Sequence, residues 1–172
     1  MRPEGVAAAD RELKRAARAH RRIRLAETMD DAEDAWADFL GSAGKVYTKL
    51  RAACHGHPLD WSWWKKKMDE RRDDMLLAYI HHARNCDTHR LEPMTAQMPG
   101  GRHIVDLSEP EQVSHSGPAH LMPLPVTDKG VTYDPPIRHK NIGLAYADVG
   151  MIAFIAGMYL QEMVAEASSR LR

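Results

Sequence analysis

The chain has only two cysteines, Cys54 and Cys86, among its 172 residues. They lie in helical segments without paired spacing, which excludes a disulfide framework and implies reduced thiols in a cytoplasmic protein. Net charge is also lacking: 24 Lys+Arg balance 24 Asp+Glu, so no overall field marks a nucleic-acid coater or a membrane-surface protein. P-loop, dinucleotide-binding and G-x-S-x-G patterns are absent, as are internal repeats. No apolar run near the N-terminus reads as a secretory signal. The longest apolar stretch, Val149 to Leu160, has twelve residues between Asp148 and Glu162. A bilayer needs roughly 20, so it reads as a buried core helix and no membrane contact is expected.

Proline is scarce before residue 93 and abundant after it, eight of the ten lying between Pro93 and Pro136. That boundary organises the chain. The N-terminal part is helical by period. Residues 6 to 27 form a helix whose apolar positions are mostly alanine, so it is expected at the periphery; its basic run from Arg11 to Arg24 is a solvated face or a phosphate-binding or partner-binding arm. From a cap at Asp30 or Asp31, apolar residues recur at three- and four-residue spacing from Ala32 to Cys54 and predict a long amphipathic helix. "HGHP", His55 to Pro58, ends it. Asp60 is expected to cap a third helix, and Asp73 or Asp74 a fourth that starts at Met75 and ends before Pro93.

Between Pro93 and Asn141 no long helix fits. His103–Leu107, His120–Val126 and Gly130–Tyr133 suggest two or three short strands, with Pro123 and Pro125 confining the middle one to an edge. A last helix is expected after Asn141, with Gly143, Gly150 and Gly157 at seven-residue intervals. The fold class is thus mainly α: a single domain over residues 1–172, a bundle of about four to five helices, with a Pro/Gly-rich insertion of short β-strands over 93–140 before the C-terminal helix. Trp36, Phe39, Leu40, Val46, Tyr47, Leu50, Leu76, Tyr79, Ile80, Val149, Ile152, Ile155 and Leu160 are the expected core.

The fourth helix carries "RNCDTH", Arg84 to His89. Histidine titrates near neutrality and suits proton transfer in metal-independent RNA cleavage. Arginine supplies a permanent planar cation for the phosphate. On a helix Asn85 and His89 share a face, whereas Arg84 and His89 are about 140° apart. Simpler readings stand beside this one: Arg84 pairing with Asp87, or His89 as a C-terminal-turn histidine favoured by the helix dipole. His82, Cys86 and His89 share a stripe that zinc could use with a fourth ligand from His81, His103 or His115. That spacing matches no strong zinc signature, so no metal or cofactor is expected.

The hexapeptide resembles the R-N-x-x-x-H signature of HEPN domains, and the block from Tyr79 to His89 is similar to one in bacterial and phage proteins. The resemblance spans about residues 30 to 89; the proline-rich insertion departs from it. It implies a metal-independent endoribonuclease of toxin or defence type, with Arg84, Asn85 and His89 as catalytic residues and RNA and an antitoxin protein as partners. It also implies a homodimer in which two motifs converge. The alternative is a non-catalytic HEPN-like module that dimerises and binds a partner or nucleic acid.

Two further features bear on RNA. Trp61, Trp63 and Trp64 precede Lys65, Lys66 and Lys67, an aromatic and basic juxtaposition used to bind single-stranded nucleic acid, although anchoring a helix in the core is the commoner use of Trp. "RHK", Arg138 to Lys140, reads as a solvated turn or a phosphate contact, and His139 as exposed.

Overall fold

A computed structural model describes residues 1–89, 93–98 and 120–171, with the backbone alone at 87–89. The described residues form five helices, α1 Pro3–Leu25, α2 Met29–Ala53, α3 Pro58–Asp73, α4 Met75–His89 and α5 Val149–Ser168. Six short strands lie between α4 and α5: β1 Thr95–Met98, β2 His120–Pro123, β3 Val126–Asp128, β4 Val131–Tyr133, β5 Arg138–His139 and β6 Ile142–Gly143. They make three separate antiparallel pairs, β1 with β2, β3 with β4 and β5 with β6. The mainly helical bundle with a short-stranded segment before the last helix is the expected class. His103 to Leu107 lies outside the described residues.

All thirteen expected core residues are buried. The helix α1 is not peripheral. Its Val6, Ala9, Ala16 and Ala19 are buried together with Ala32, Ala35, Ala43 and Ala53 of α2. Alanines contribute little area each, but they let two antiparallel backbones approach closely. Gly5 marks the tightest point, where a Cβ would sit 2.8 Å from Ala53 Cβ and 3.0 Å from its Cα.

Several helix starts differ from expectation. Thr28, rather than Asp30 or Asp31, caps α2, its side chain accepting from Asp31 N at 3.1 Å. The helix α3 starts at Pro58, whose ring suits the first helical position. Asp60 therefore falls inside the first turn, where it is buried and pairs with the N-terminal ammonium at 2.7 Å. The helix α5 starts at Val149, with Asp148 as its cap accepting from Met151 N at 2.7 Å. Ile142 and Gly143 pair with β5 instead, so Gly143 lies outside the helix and the glycine stripe is broken. Although α5 runs for 20 residues, long enough by length and composition to cross a bilayer, half of that apolar window is buried in the bundle.

Asp74 meets the expectation of a cap for α4 and does more. Its Oδ1 accepts from Leu77 N at 3.1 Å and lies 2.9 Å from His139 Nδ1, while Oδ2 accepts from Lys140 N at 3.1 Å. His139 is accordingly buried, contrary to its expected exposure. Burial works to raise the Asp74 carboxyl, but the bonds from His139, Leu77 and Lys140 outweigh it and hold the carboxyl below its ordinary range.

The Gly5 contact has a testable consequence. Gly5→Ala raises helix propensity yet forces a methyl against the backbone of Ala53, so it should destabilise the protein by roughly 1–3 kcal/mol. Urea denaturation reads this directly; an unchanged or higher midpoint would show that α1 moves aside at no cost.

Candidate functional site

The motif lies on α4, and the helix sends its side chains to different sides. Successive residues turn by about 100°. Asn85 faces the β3–β4 hairpin, where its Nδ2 donates to Asp128 Oδ2 at 2.8 Å. One turn earlier His82 Nδ1 lies 2.8 Å from the same oxygen, and its ring stacks on Tyr133 at 3.6 Å with an interplanar angle of 10°. Cys86 Sγ donates to Thr127 O at 3.1 Å. The hairpin that receives these contacts turns through Lys129 and Gly130, both with positive φ, the two-residue form that matches strand twist.

These contacts hold Asp128 below the ordinary carboxylate range, chiefly through the hydrogen bonds from Asn85 and His82. They also commit His82 and Cys86, two of the three zinc candidates, to β3. Among the described residues no group of three or more His, Cys, Asp or Glu is placed to hold a metal ion. The side chains of Asp87 and His89, together with His103 and His115, lie outside the described residues.

Arg84 faces the opposite side of α4 and lies across α2 at Gly44. A Cβ at residue 44 would come within 2.7 Å of Arg84 Cδ and 2.8 Å of its Nε. A glycine inside a helix costs about 1 kcal/mol relative to alanine; here it opens the passage for the arginine. Arg84 thereby joins Thr48 and Arg51 of α2, Arg71 of α3 and His81 of α4 around a cleft of about 440 Å³. Tyr47, Trp61, Trp64 and Met68 complete its wall, and no described carboxylate lines it. Trp64 is buried and meets Tyr47 edge to face at 6.0 Å, while Trp61 remains 46% exposed.

The electrostatics of this cleft are set by burial first and by its cations second. The Arg71 guanidinium lies 4.9 Å over the Tyr47 ring. Burial lowers the pKa of Arg71; the Tyr47 phenol opposes this and the neighbouring Arg84 charge adds to it. His81 is pushed down to about 4, first by burial and then by the charges of Arg71, His82 and Arg84, against the opposing effect of Asp128. Near neutral pH the cleft thus presents guanidinium cations beside a neutral imidazole.

The lysines of α3 separate as well. Lys65 and Lys66 are exposed, but Lys67 is buried and bonds Glu166 at 3.0 Å and Glu70 at 3.2 Å. Trp63 donates to Glu166 beside it at 2.9 Å. Lys67 therefore ties α3 to α5, and any nucleic-acid contact by this run falls to Lys65 and Lys66. The aromatic and basic groups that do converge are Trp61 and Trp64 with the arginines of three helices. Sequence reading missed Arg51 and Arg71 because neither lies near Arg84 along the chain; the glycine inside α2 was the available signal.

His81 generates a pH prediction. An ordinary histidine pKa is about 6.5 in the unfolded chain, so the folded state disfavours protonation. Its contribution to stability is complete above about pH 6.5 and is lost as pH falls toward about 4. His81→Gln should flatten that part of the stability profile, read from thermal midpoints between pH 7 and 4.5; an identical slope in the variant would contradict the assignment. No family model matches the chain, and neither curated proteins nor solved structures yield a significant match.

Proposed function

We propose that this chain is a HEPN-like helical module that binds RNA, gripping the phosphate backbone in the cleft between α2, α3 and α4. The observation that carries this reading is that Arg51, Arg71 and Arg84, from three helices, line one cleft together with Trp61 and Trp64. A bound phosphate would accept hydrogen bonds from planar guanidinium groups.

A second reading, metal-independent endoribonuclease activity of toxin or defence type, rests on the motif residues Arg84 and His89, with the His81 imidazole on the same cleft as Arg84. Asn85 is engaged by Asp128 in each chain, so in this reading Asn85 acts by orienting α4. Arg84 and His89 act together across a two-fold pair. The exposed Met151, Phe154 and Met158 of α5 offer an apolar surface for a homodimer or an antitoxin protein. Two reduced, buried thiols fit a cytoplasmic setting.

Binding is tested by gel shift of RNA in EDTA. Wild-type protein should retain RNA, and Arg71→Gln should lower the slope of log affinity against log salt by roughly 0.7, the value for one lost contact on a single strand. Gly44→Ala, which displaces Arg84 without removing its charge, should weaken binding while leaving thermal stability near wild type. Absence of binding, or affinities untouched by both changes, would refute the reading.

Cleavage is judged separately from product ends. The endoribonuclease reading expects 2′,3′-cyclic phosphate termini in EDTA, with Arg84→Ala and His89→Ala each slowing the reaction by roughly 10² or more. RNA that is bound but left intact would leave the binding function alone standing.

A further inference from the structure

The basic run of α1 supplies no residue to the cleft and has a geometry of its own. Between Arg11 and Leu25 the chain carries seven Lys and Arg residues and a single carboxylate, Glu12, although the charges of the whole chain balance. We propose that the exposed face of α1 is a second RNA surface, one that lies along the phosphates of a paired segment. The inference rests on the RNA reading and adds to it a contact independent of the cleft, with a different strandedness of ligand.

The helix itself arranges the cations. It runs unbroken from Pro3 to Leu25, and successive residues turn by about 100° and rise by about 1.5 Å. Arg11, Lys14, Arg15, Arg18, Arg21 and Arg22 therefore fall within an arc of about 120° and form a row about 16 Å long. All six are exposed.

Their counter-charges are few and lie at the surface. Lys14 pairs with Asp10, Arg15 with Glu12 and Arg22 with Asp38, and in each pair the basic side chain is more than half exposed. Surface pairs of this kind contribute little to stability, so phosphate oxygens replace them at small cost. Arg11, Arg18 and Arg21 have no ion pair among the described residues.

What surrounds the row selects the partner. The opposite face of α1, with Val6, Ala9, Ala16 and Ala19, is buried in the bundle, so the helix cannot turn it into a bilayer as an interfacial helix does. Between Arg11 and Arg22 the exposed positions are otherwise only Ala17. A protein interface needs apolar or aromatic side chains at its centre, where charge is depleted, and the row has none. Nor does it have an exposed ring on which an unpaired base could stack; His20 is turned toward α5, its ring 5.7 Å from that of Phe154. A duplex offers the complement, since its phosphates are already fixed in rows, and paired RNA is recognised largely by shape and backbone contacts. With α1 seated closely on α2 at Gly5 and Ala53, the cations stand on a rigid support and little ordering is required when the two rows meet.

The test uses the full chain in EDTA with two labelled probes, an RNA duplex of about 16 base pairs and a single strand of about twelve nucleotides. The triple variant Arg11→Gln, Arg18→Gln, Arg21→Gln should bind the duplex roughly tenfold or more weakly, and its slope of log affinity against log salt should fall by roughly 2–3, about 0.9 for each lost contact. Its affinity for the single strand should stay within about twofold of wild type, whereas Arg71→Gln should weaken the single strand and spare the duplex. Lysine at the same three positions of α1 should retain most of the duplex affinity, because the charge is kept. Thermal midpoints of both triple variants should match wild type, the sites being exposed and Gln and Lys good helix formers. A glutamine variant that binds the duplex as wild type does would overturn the α1 inference and leave the cleft to its own test with Arg71→Gln and Gly44→Ala. So would tighter binding of poly-glutamate, phosphatidylserine vesicles or duplex DNA than of duplex RNA. Duplex binding lost in the glutamine variant, with single-strand binding indifferent to Arg71 and Gly44, would refute the cleft reading and keep α1 as the RNA surface.

Discussion

One carboxylate ties a face of α4 to the strands, while Leu76, Tyr79, Ile80 and Ala83 seat the helix in the core. Asp128, at the end of β3, accepts from Asn85 and lies within hydrogen-bond distance of His82, residues on a single stripe of the helix. Stacking of His82 on Tyr133 and the Cys86 bond to Thr127 O extend that stripe along the same hairpin. With one side of α4 committed to the strands, a residue on the opposite side is directed toward α2 and α3. That residue is Arg84. Asp74 performs the corresponding task at the other end, capping α4 and holding the β5–β6 hairpin through His139 and Lys140. The strands between α4 and α5 thus hold α4 from one side, and the cleft lies on the side that faces α2 and α3.

A charge left in a dry interior costs a fold several kcal/mol. The arrangement avoids this in three ways. The arginines are not fully buried and open to a cleft. Arg71 lies over the face of Tyr47, which attracts a cation. His81, pushed down to about 4, stays neutral in the physiological range.

Much of the architecture was legible in the sequence because long helices repeat their apolar residues every three or four positions. The pattern from Ala32 to Cys54 and the cap at Asp74 correspond closely to α2 and α4. Local rules failed where a distant partner decided the outcome. The alanines of α1 read as a weak face, yet they pack because α2 presents alanines opposite. Asn141 resembles a cap, but Ile142 pairs with His139 and the helix waits for Asp148. His139 looked exposed until Asp74, 65 residues earlier, supplied its partner. For the site, Arg84 and Asn85 were identifiable by type and their divergence by helical period, whereas the partner that Asn85 meets, Asp128, lies 43 residues beyond it. Adjacent letters misled at "WWKKK": a helix turns Lys67 inward to Glu166, and the real neighbours of Trp61 and Trp64 are arginines from other elements.

The central claim is that ligand contacts fall on the α2–α3–α4 side of the molecule and not on the hairpin side. Nuclear magnetic resonance of the ¹⁵N-labelled chain, titrated with a short single-stranded RNA, locates them residue by residue. The account predicts that the indole Nε1–H of Trp61 and the Nε–H signals of Arg71 and Arg84 shift together in one saturable event, with Asn85 Nδ2 and Gly130 unmoved. Shifts concentrated at Asn85 and the Lys129–Gly130 turn, or spread along the basic face of α1 with Trp61 unchanged, would contradict it.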